Sequence, residues 1–333
     1  GAIYLNAKGL ETPKLFEIPE DDKPIGVDEF PLFYKFSGQG QFSRFPKAVL
    51  EDEPYPVRGL MILGGSPVLS FPDSKSWREA YKKLDCLIVL DRYFTEDARY
   101  ADVVFPACSL FEVPKAVPGP EGPHIVEPLI EPVGESKNDV LIMGAIAKKL
   151  GFGDKLPQTE EELRSWLLSG TAPYAGDFGT SADQKKEKHY KKYETGELRA
   201  DGKPGFPTPS GKLEICSTIL EENGFVPYPE YKDVRSIPEL AGKEYPFTMT
   251  SGARSNNRMG VFGANLDKIA EIEPYPFVDI NAEEAKEIGI EDGDMVKVIT
   301  PFADGTFKAK IRGIARHAIH IPHGGGSAYM AKK

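Results

Sequence analysis

The chain has 333 residues, 40 % hydrophobic and 28 % charged, with 41 basic against 51 acidic side chains and a net charge of −10. That length gives room for two or three domains with a sizeable core, and the balance is that of a soluble globular protein. The acidic excess argues against a general nucleic-acid binder, which needs a basic field, and no window approaches the roughly 18 consecutive apolar residues of a membrane span.

Gly1-Ala2-Ile3-Tyr4 lacks the basic start and apolar core of a signal peptide. A chain opening on Gly rather than Met is expected to be a piece of a longer polypeptide, with its compartment open between the cytoplasm and export to a periplasm. Residues 1–55 are rich in proline, aromatics and acids and show no periodicity. They are expected to be extended chain, Phe30-Pro31-Leu32-Phe33-Tyr34 included, with one short helix near Phe45–Leu50. From Val57 the signal sharpens. Leu60–Leu63 is an apolar run that stops at Gly64-Gly65-Ser66-Pro67, a strand followed by a tight turn. Asp73-Ser74 caps a helix over Lys75–Leu84, with Trp77, Ala80, Tyr81 and Leu84 on one face. Cys86–Leu90 is a second buried strand ending in Asp91. Thr95 caps a turn through Ala98, and Val103–Pro106 is a third strand. Such β-α-β-α-β units with short connections give a parallel sheet.

Six prolines between 113 and 137 predict an irregular loop. Asn138 or Asp139 then caps a helix to Leu150, with Ile142, Met143, Ile146 and Leu150 inward and Gly151 as its stop. Thr159 and Glu162 form a capping box for a helix presenting Leu163, Trp166 and Leu167. Residues 171–212 are polar, with the charge cluster Lys185–His189 read as a solvated face. The last third changes to short strands: Phe247–Thr250, running into Ser251-Gly252-Ala253-Arg254; Val278–Ile280, with Asn281 and Glu284 boxing a short helix; Met295–Thr300; Thr306–Arg312, entered by an Asp304-Gly305 hairpin turn; and His317–Pro322. This pattern predicts a small β-barrel. The expected domains are an extended segment at 1–55, an α/β dinucleotide-binding domain at 56–170, an irregular connector at 171–243 and a β-barrel at 244–333.

Gly64–Pro67 carries neither G-x-G-x-x-G nor the lysine of a P-loop. It reads as either a phosphate turn facing a helix start or a simple tight turn. Asp91, at the end of the next strand, stands where an α/β dinucleotide site places an acid for ribose hydroxyls. Its carboxylate also suits the N1–H and amine of guanine; the alternative is a loop cap. Asp102 reads as a cap. Ser251–Arg254 reads as an anion clamp or a surface arginine. His323, followed by three glycines, suggests backbone approaching a ligand closely or a flexible tail. His317 and His320 read as structural. Cys86, Cys108 and Cys216 make no CxxC; Cys86 is expected in the core, and nothing near Cys108 activates it.

Taken together, "LGGSPVLSFPD" at 63–73 and "LDCLIVLDRYFTEDARYADVVFPACS" at 84–109 resemble the molybdopterin oxidoreductase, or dimethyl sulfoxide reductase, family. Its pattern is a G-x-N-P turn, a strand ending in Asp, then T-E-x-A-x-x-A-D-V-V-L-P. "GKPGFPTPSGKLEI" at 202–215 is similar to the family's connector. "EPYPFVDINAEEAKEIGIEDGDMVKVITP" at 273–301 and "IPHGGG" at 321–326 are similar to its C-terminal dinucleotide-binding barrel, of a six-stranded, double-psi-like type. The resemblance implies a Rossmann-like domain followed by that barrel, and a bis(molybdopterin guanine dinucleotide) cofactor carrying molybdenum or tungsten. It implies cofactor contacts from Gly64, Gly65, Ser66, Pro67, Asp91 and Thr95 on one side. Ser251, Gly252, Arg254, Asn265, His323 and Gly324 supply the other. Two departures stand out: the turn's usual Asn is Ser66, and the usual aromatic-His-Ser after the clamp reads Phe262-Gly263-Ala264.

The family's iron–sulfur cysteines and metal ligand lie upstream of the matched region. The resemblance therefore implies the C-terminal part of a catalytic subunit, with a 4Fe-4S cluster in the remaining N-terminal part and an iron–sulfur electron-transfer subunit as a partner. No catalytic residue and no metal ligand is assigned within this chain. Oxygen-atom, electron or hydride transfer belongs to the whole enzyme. Two other readings stand beside this one: a non-catalytic cofactor carrier or scaffold with the same domains, and an unrelated nicotinamide-dependent enzyme, for which the glycine fingerprint is wrong.

Overall fold

The computed structural model describes residues 23–117, 124–168, 192–233, 236, 244–254 and 266–323. The chain divides into two compact units, one of residues 1–176, 247–298 and 305–333, the other of 177–246 and 299–304. Among the described residues, no helix is long and apolar enough to cross a membrane. The charge cluster Lys185–His189 lies outside them.

The N-terminal stretch is less extended than its composition suggests. Helix α1 spans Pro31–Ser37, with a proline at its start, where the missing N–H costs nothing, and Gly38 closing it in the left-handed region at φ 66°. Helix α2 is Phe45–Glu51, as expected. Strand β1 (Gly59–Leu63) is followed by α3 (Pro67–Ser70) and α4 (Ser74–Lys83), which Asp73 caps by accepting the Ser76 N–H at 3.3 Å. Strands β2 (Cys86–Asp91) and β3 (Val103–Pro106) complete a wholly parallel sheet of order β1-β2-β3. Trp77, Ala80 and Tyr81 of α4 pack with Ile62, Leu87, Val89 and Phe45 in one core. Asp102 accepts the Leu87 N–H at 2.7 Å, tying the start of β3 to β2. Cys86 is exposed rather than buried: it opens β2 opposite Gly59, which has no side chain to cover it.

Between 113 and 137 the expected irregular loop contains two short antiparallel strands, β4 (Lys115–Val117) and β5 (His124–Val126). The flanking loops are tied by Glu112, whose carboxylate accepts the N–H of Ser109 at 2.5 Å and of Val133 at 2.6 Å. These bonds hold its carboxyl down at about 2. Asn138 caps α5 (Asp139–Lys149), and Gly151 ends it at φ 91°. Leu150 falls past the last turn and is exposed, contrary to expectation; Gly144 and Ala147 are buried instead. The Thr159–Glu162 box opens α6 (Glu160–Leu168). Gly144 faces the Pro157 carbonyl, and the Gln158 side-chain amide bonds the Gly144 carbonyl oxygen at 2.9 Å. A methyl group there would overlap backbone, so Gly144→Ala is expected to cost about 1–3 kcal/mol by overpacking, read as a lowered melting temperature.

The C-terminal strands are β6 (Thr248–Arg254), β7 (Phe277–Asn281), β8 (Met295–Ile299), β9 (Asp304–Arg312) and β10 (Ala318–His323). Their order is β6-β10-β7-β9-β8; β10 runs parallel to β6 and antiparallel to β7, and β7 runs parallel to β9. Among the described residues this is an open, mixed five-stranded sheet rather than the expected six-stranded barrel. The β8–β9 turn sits at Thr300–Ala303, where the Thr300 hydroxyl oxygen accepts the Ala303 N–H at 3.0 Å. Asp304-Gly305 has already entered the strand. Asn281 caps the helix Ala282–Glu287. Glu284, however, does not close a box: its buried carboxylate accepts the His317 N–H at 2.8 Å. His317 stands at φ 58° just before β10, and its amide takes the acceptor that the box would have used.

Candidate functional site

Parallel pairing aligns the C-terminal ends of β1, β2 and β3 on one edge. Leu63 stands opposite Leu90, so Gly64 comes beside Asp91, and the Gly64 N–H donates to the Leu90 carbonyl at 2.9 Å. Gly64 takes φ 59°, and the position its Cβ would occupy meets nothing within 4 Å. A residue with a side chain is strained in that conformation, and open space lies before it. Among the described residues, the amides of Gly65 and Ser66 make no backbone hydrogen bond. Successive unpaired N–H groups beside a left-handed residue form an anion-binding concavity.

The helix start adds less than the sequence suggests. Pro67, the first residue of α3, has no N–H, and the Val68 N–H is taken by the Asp97 carboxylate at 3.1 Å. The amides of Leu69 and Ser70 turn back to the Ser66 carbonyl. The Ser66 hydroxyl donates to Asp97, and the side chain is 6 % exposed, directed beneath the turn. Asp97 itself is 0 % exposed and also accepts the Tyr81 hydroxyl at 2.8 Å. Burial, then the Asp97 charge, pushes the Tyr81 phenol up, which keeps it a donor. Asp97 is the functional-region residue that pattern reading missed: it occupies a variable position of the T-E-x-A pattern, and nothing marks it before the fold brings it under Ser66.

Asp91 uses Oδ1 to accept the Tyr93 N–H at 2.9 Å, the capping role left open above. Asp139, at the start of α5, has its carboxyl raised by burial, with Arg92 opposing and Asp91 adding to the shift. These three charged side chains therefore share one field at this edge. Thr95 is buried, and its hydroxyl oxygen accepts the Ala98 N–H at 3.3 Å, so it caps a turn as expected. The Cys108 thiol is pushed up chiefly by burial, which leaves it unactivated.

The second predicted group also assembles at a strand end. Parallel β6 and β10 set Ser251 opposite Ile321 and Gly252 opposite Pro322; after a register shift, His323 is opposite Arg254. The two segments, about seventy residues apart in sequence, are thereby neighbours. Gly252 has φ 143° and open space where a Cβ would be. Asn265 and Gly324 lie outside the described residues. His320 Nδ1 lies 3.1 Å from the Thr250 hydroxyl, and His317 Nδ1 lies 3.0 Å from the Glu284 carboxylate. Among the described residues, no three His, Cys, Asp or Glu side chains group to hold a metal.

Two family models match the chain in order: molybdopterin oxidoreductase over residues 43–149 and the molybdopterin dinucleotide binding domain over 248–332. Between them they cover more than half of it. The chain belongs to the molybdopterin oxidoreductase family. The chain is 31 % identical to the F420-dependent formate dehydrogenase subunit alpha of Methanocaldococcus jannaschii over 77 % of its own length and 36 % of that protein. Acetylene hydratase of Syntrophotalea acetylenica is 25 % identical over 87 % of this chain and 40 % of that protein. The solved acetylene hydratase from Pelobacter acetylenicus superposes with a TM-score of 0.70 at 23 % identity, over 88 % of this chain and 42 % of the other. The chain thus spans well under half the length of these family members.

Proposed function

We propose that this chain is the cofactor-cradling C-terminal portion of the catalytic subunit of a molybdenum or tungsten bis(molybdopterin guanine dinucleotide) oxidoreductase. The observation that carries this reading is the turn after β1. Gly64 is left-handed and faces open space, the Gly65 and Ser66 amides are unpaired among the described residues, and Asp91 stands alongside. That donor set suits a diphosphate, and a carboxylate beside it suits a guanine edge or a ribose hydroxyl. On the other sheet, Ser251, Gly252, Arg254 and His323 gather at the ends of β6 and β10, suited to the pterin and diphosphate side; Asn265 and Gly324 are assigned to the same side on the family resemblance alone. Barrel closure of the C-terminal sheet belongs to this reading.

When bound, the metal–pterin group supplies the redox or Lewis-acid chemistry. This chain's residues bind and orient it: backbone amides meet the phosphates, Asp91 accepts donors from the base or sugar, and Arg254 contributes charge. The metal's protein ligand and any 4Fe-4S cluster are assigned to the further polypeptide that the longer relatives carry, and electron transfer to an iron–sulfur subunit. Substrate choice is assigned, with the metal ligand, to that further polypeptide.

Asp91→Ala and Arg254→Ala, in the full-length protein, are each expected to lower bound molybdenum or tungsten and pterin several-fold. Each removes a charge-assisted contact to the ligand. Metal analysis and pterin fluorescence of the purified variants make the check. Unchanged content in both would overturn the assignment.

A further inference from the structure

We infer that Asp97 is a positioning residue for the nucleotide-binding turn, fixing the direction of the Gly65 and Ser66 amides from beneath. The inference rests on the proposed role of that turn. Its basis is a fully buried carboxylate with three donors from three elements: the Ser66 hydroxyl in the turn, the Val68 amide in α3 and the Tyr81 hydroxyl in α4. Among the described residues no lysine, arginine or histidine lies within ion-pair distance of it; Arg78 and Arg99 both go to the neighbouring Glu96. A buried charge held only by neutral donors persists where every donor is fixed, and the same constraint fixes the donors. Two of them bracket Pro67, so the backbone from Ser66 to Val68 is clamped at both ends. The clamp also draws the Ser66 side chain under the turn and occupies the Val68 amide. An arriving anion therefore meets main-chain N–H groups alone, at the position where the family's pattern carries an asparagine.

The test uses GDP as probe, titrated into the 333-residue chain by calorimetry, with circular dichroism and thermal melts alongside. Asp97→Ala is expected to weaken GDP affinity roughly tenfold or more at a temperature where the variant is folded. Asp97→Asn is expected to stay within about threefold of the unaltered chain. Its amide oxygen still accepts from Val68 and Tyr81, and its NH2 donates to the Ser66 oxygen. Tyr81→Phe, which removes one of the three donors and leaves the other two, is expected to lower the melting temperature and to weaken GDP affinity less than Asp97→Ala does. A purely structural carboxylate would move stability without this pattern of affinities. Equal affinity in the Asp97→Ala and unaltered chains overturns the inference, as does an Asp97→Asn variant as weak as Asp97→Ala. Should Asp97→Ala not fold, Ser66→Ala cuts the same tether, and unchanged affinity there overturns it equally. Absence of GDP binding by the unaltered chain removes the reading of the turn and the inference with it; binding that ignores Asp97 removes the inference alone.

Discussion

Trp77→Ala is expected to destabilise the α/β layer by about 3–5 kcal/mol, the range for deleting a buried aromatic side chain. Trp77 is 1 % exposed and sits at the centre of an aromatic cluster. Phe45 stacks on it at 5.6 Å between ring centroids, and Phe42, Phe71 and Tyr81 approach at 5.2, 5.4 and 6.0 Å. These rings come from α2, from α4 itself and from the segments flanking α2 and α3. The cavity would therefore open at the joint of several elements, where no single backbone shift can close it. Denaturant titration followed by far-ultraviolet circular dichroism measures the loss. Leu150→Ala is the control: that side chain is 64 % exposed, and a change within about 0.5 kcal/mol is expected. A Trp77→Ala loss no larger than that would show the cluster to be dispensable. The turn should suffer with the layer, because Tyr81, one helical turn on from Trp77, carries one of the three donors to Asp97.

That core was legible in advance because its signal is periodic. Trp77, Ala80 and Tyr81 fall at helical spacing, and β2 reads as an unbroken apolar run, as a strand covered on both faces must. Expectations failed where an end effect overrode the pattern. Cys86 opens its strand opposite a glycine, and Leu150 lies one residue past its helix. Pro31 lies in a stretch whose composition suggests extended chain, although proline is equally suited to a helix's first position. Asp304-Gly305 has hairpin chemistry, but Thr300 supplies the side-chain bonds that turn the chain four residues earlier.

The site divides along the same line. Gly64 and Asp91 were visible because each ends a strand, and neighbouring parallel strands bring such ends together. The approach of Arg254 to His323 depends on β10 inserting between β6 and β7, and no local pattern encodes that order. Asp97 and Glu112 were invisible for a third reason. Each is a single acid in a polar stretch, distinguished only by the amides and hydroxyls that folding delivers to it. The Ser66 hydroxyl turns to Asp97 for the same cause, which leaves its amide as the group open to a ligand.

Glu112 makes the clearest pH prediction. Its carboxyl is held at about 2, against an ordinary 4.5, first by its bonds to Ser109 and then by the Val133 amide. The bonds favour the ionised form, and an acid whose folded value is depressed stabilises the fold fully above its unfolded value. That contribution should begin to fade below about pH 4.5 and be gone near pH 2. Asp201 and Glu214 are also held at about 2 within the other unit, so a global melt would mix several titrations. Hydrogen exchange at the Ser109 and Val133 amides isolates this one. In the unaltered chain, corrected for intrinsic rates, both amides should be less protected at pH 3 than at pH 6. In Glu112→Gln one of the two amides should be unprotected at both pH values, since the side-chain NH2 presents a donor where that amide needs an acceptor. Protection at pH 3 equal to that at pH 6 would sink the assignment. The consequence reaches the site because Ser109 lies three residues beyond the end of β3, and the Cys108 amide bonds the Lys137 carbonyl at 3.0 Å. Releasing Glu112 loosens the strap that joins this strand end to Asn138, the cap of α5, and so to Asp139, which shares its field with Asp91.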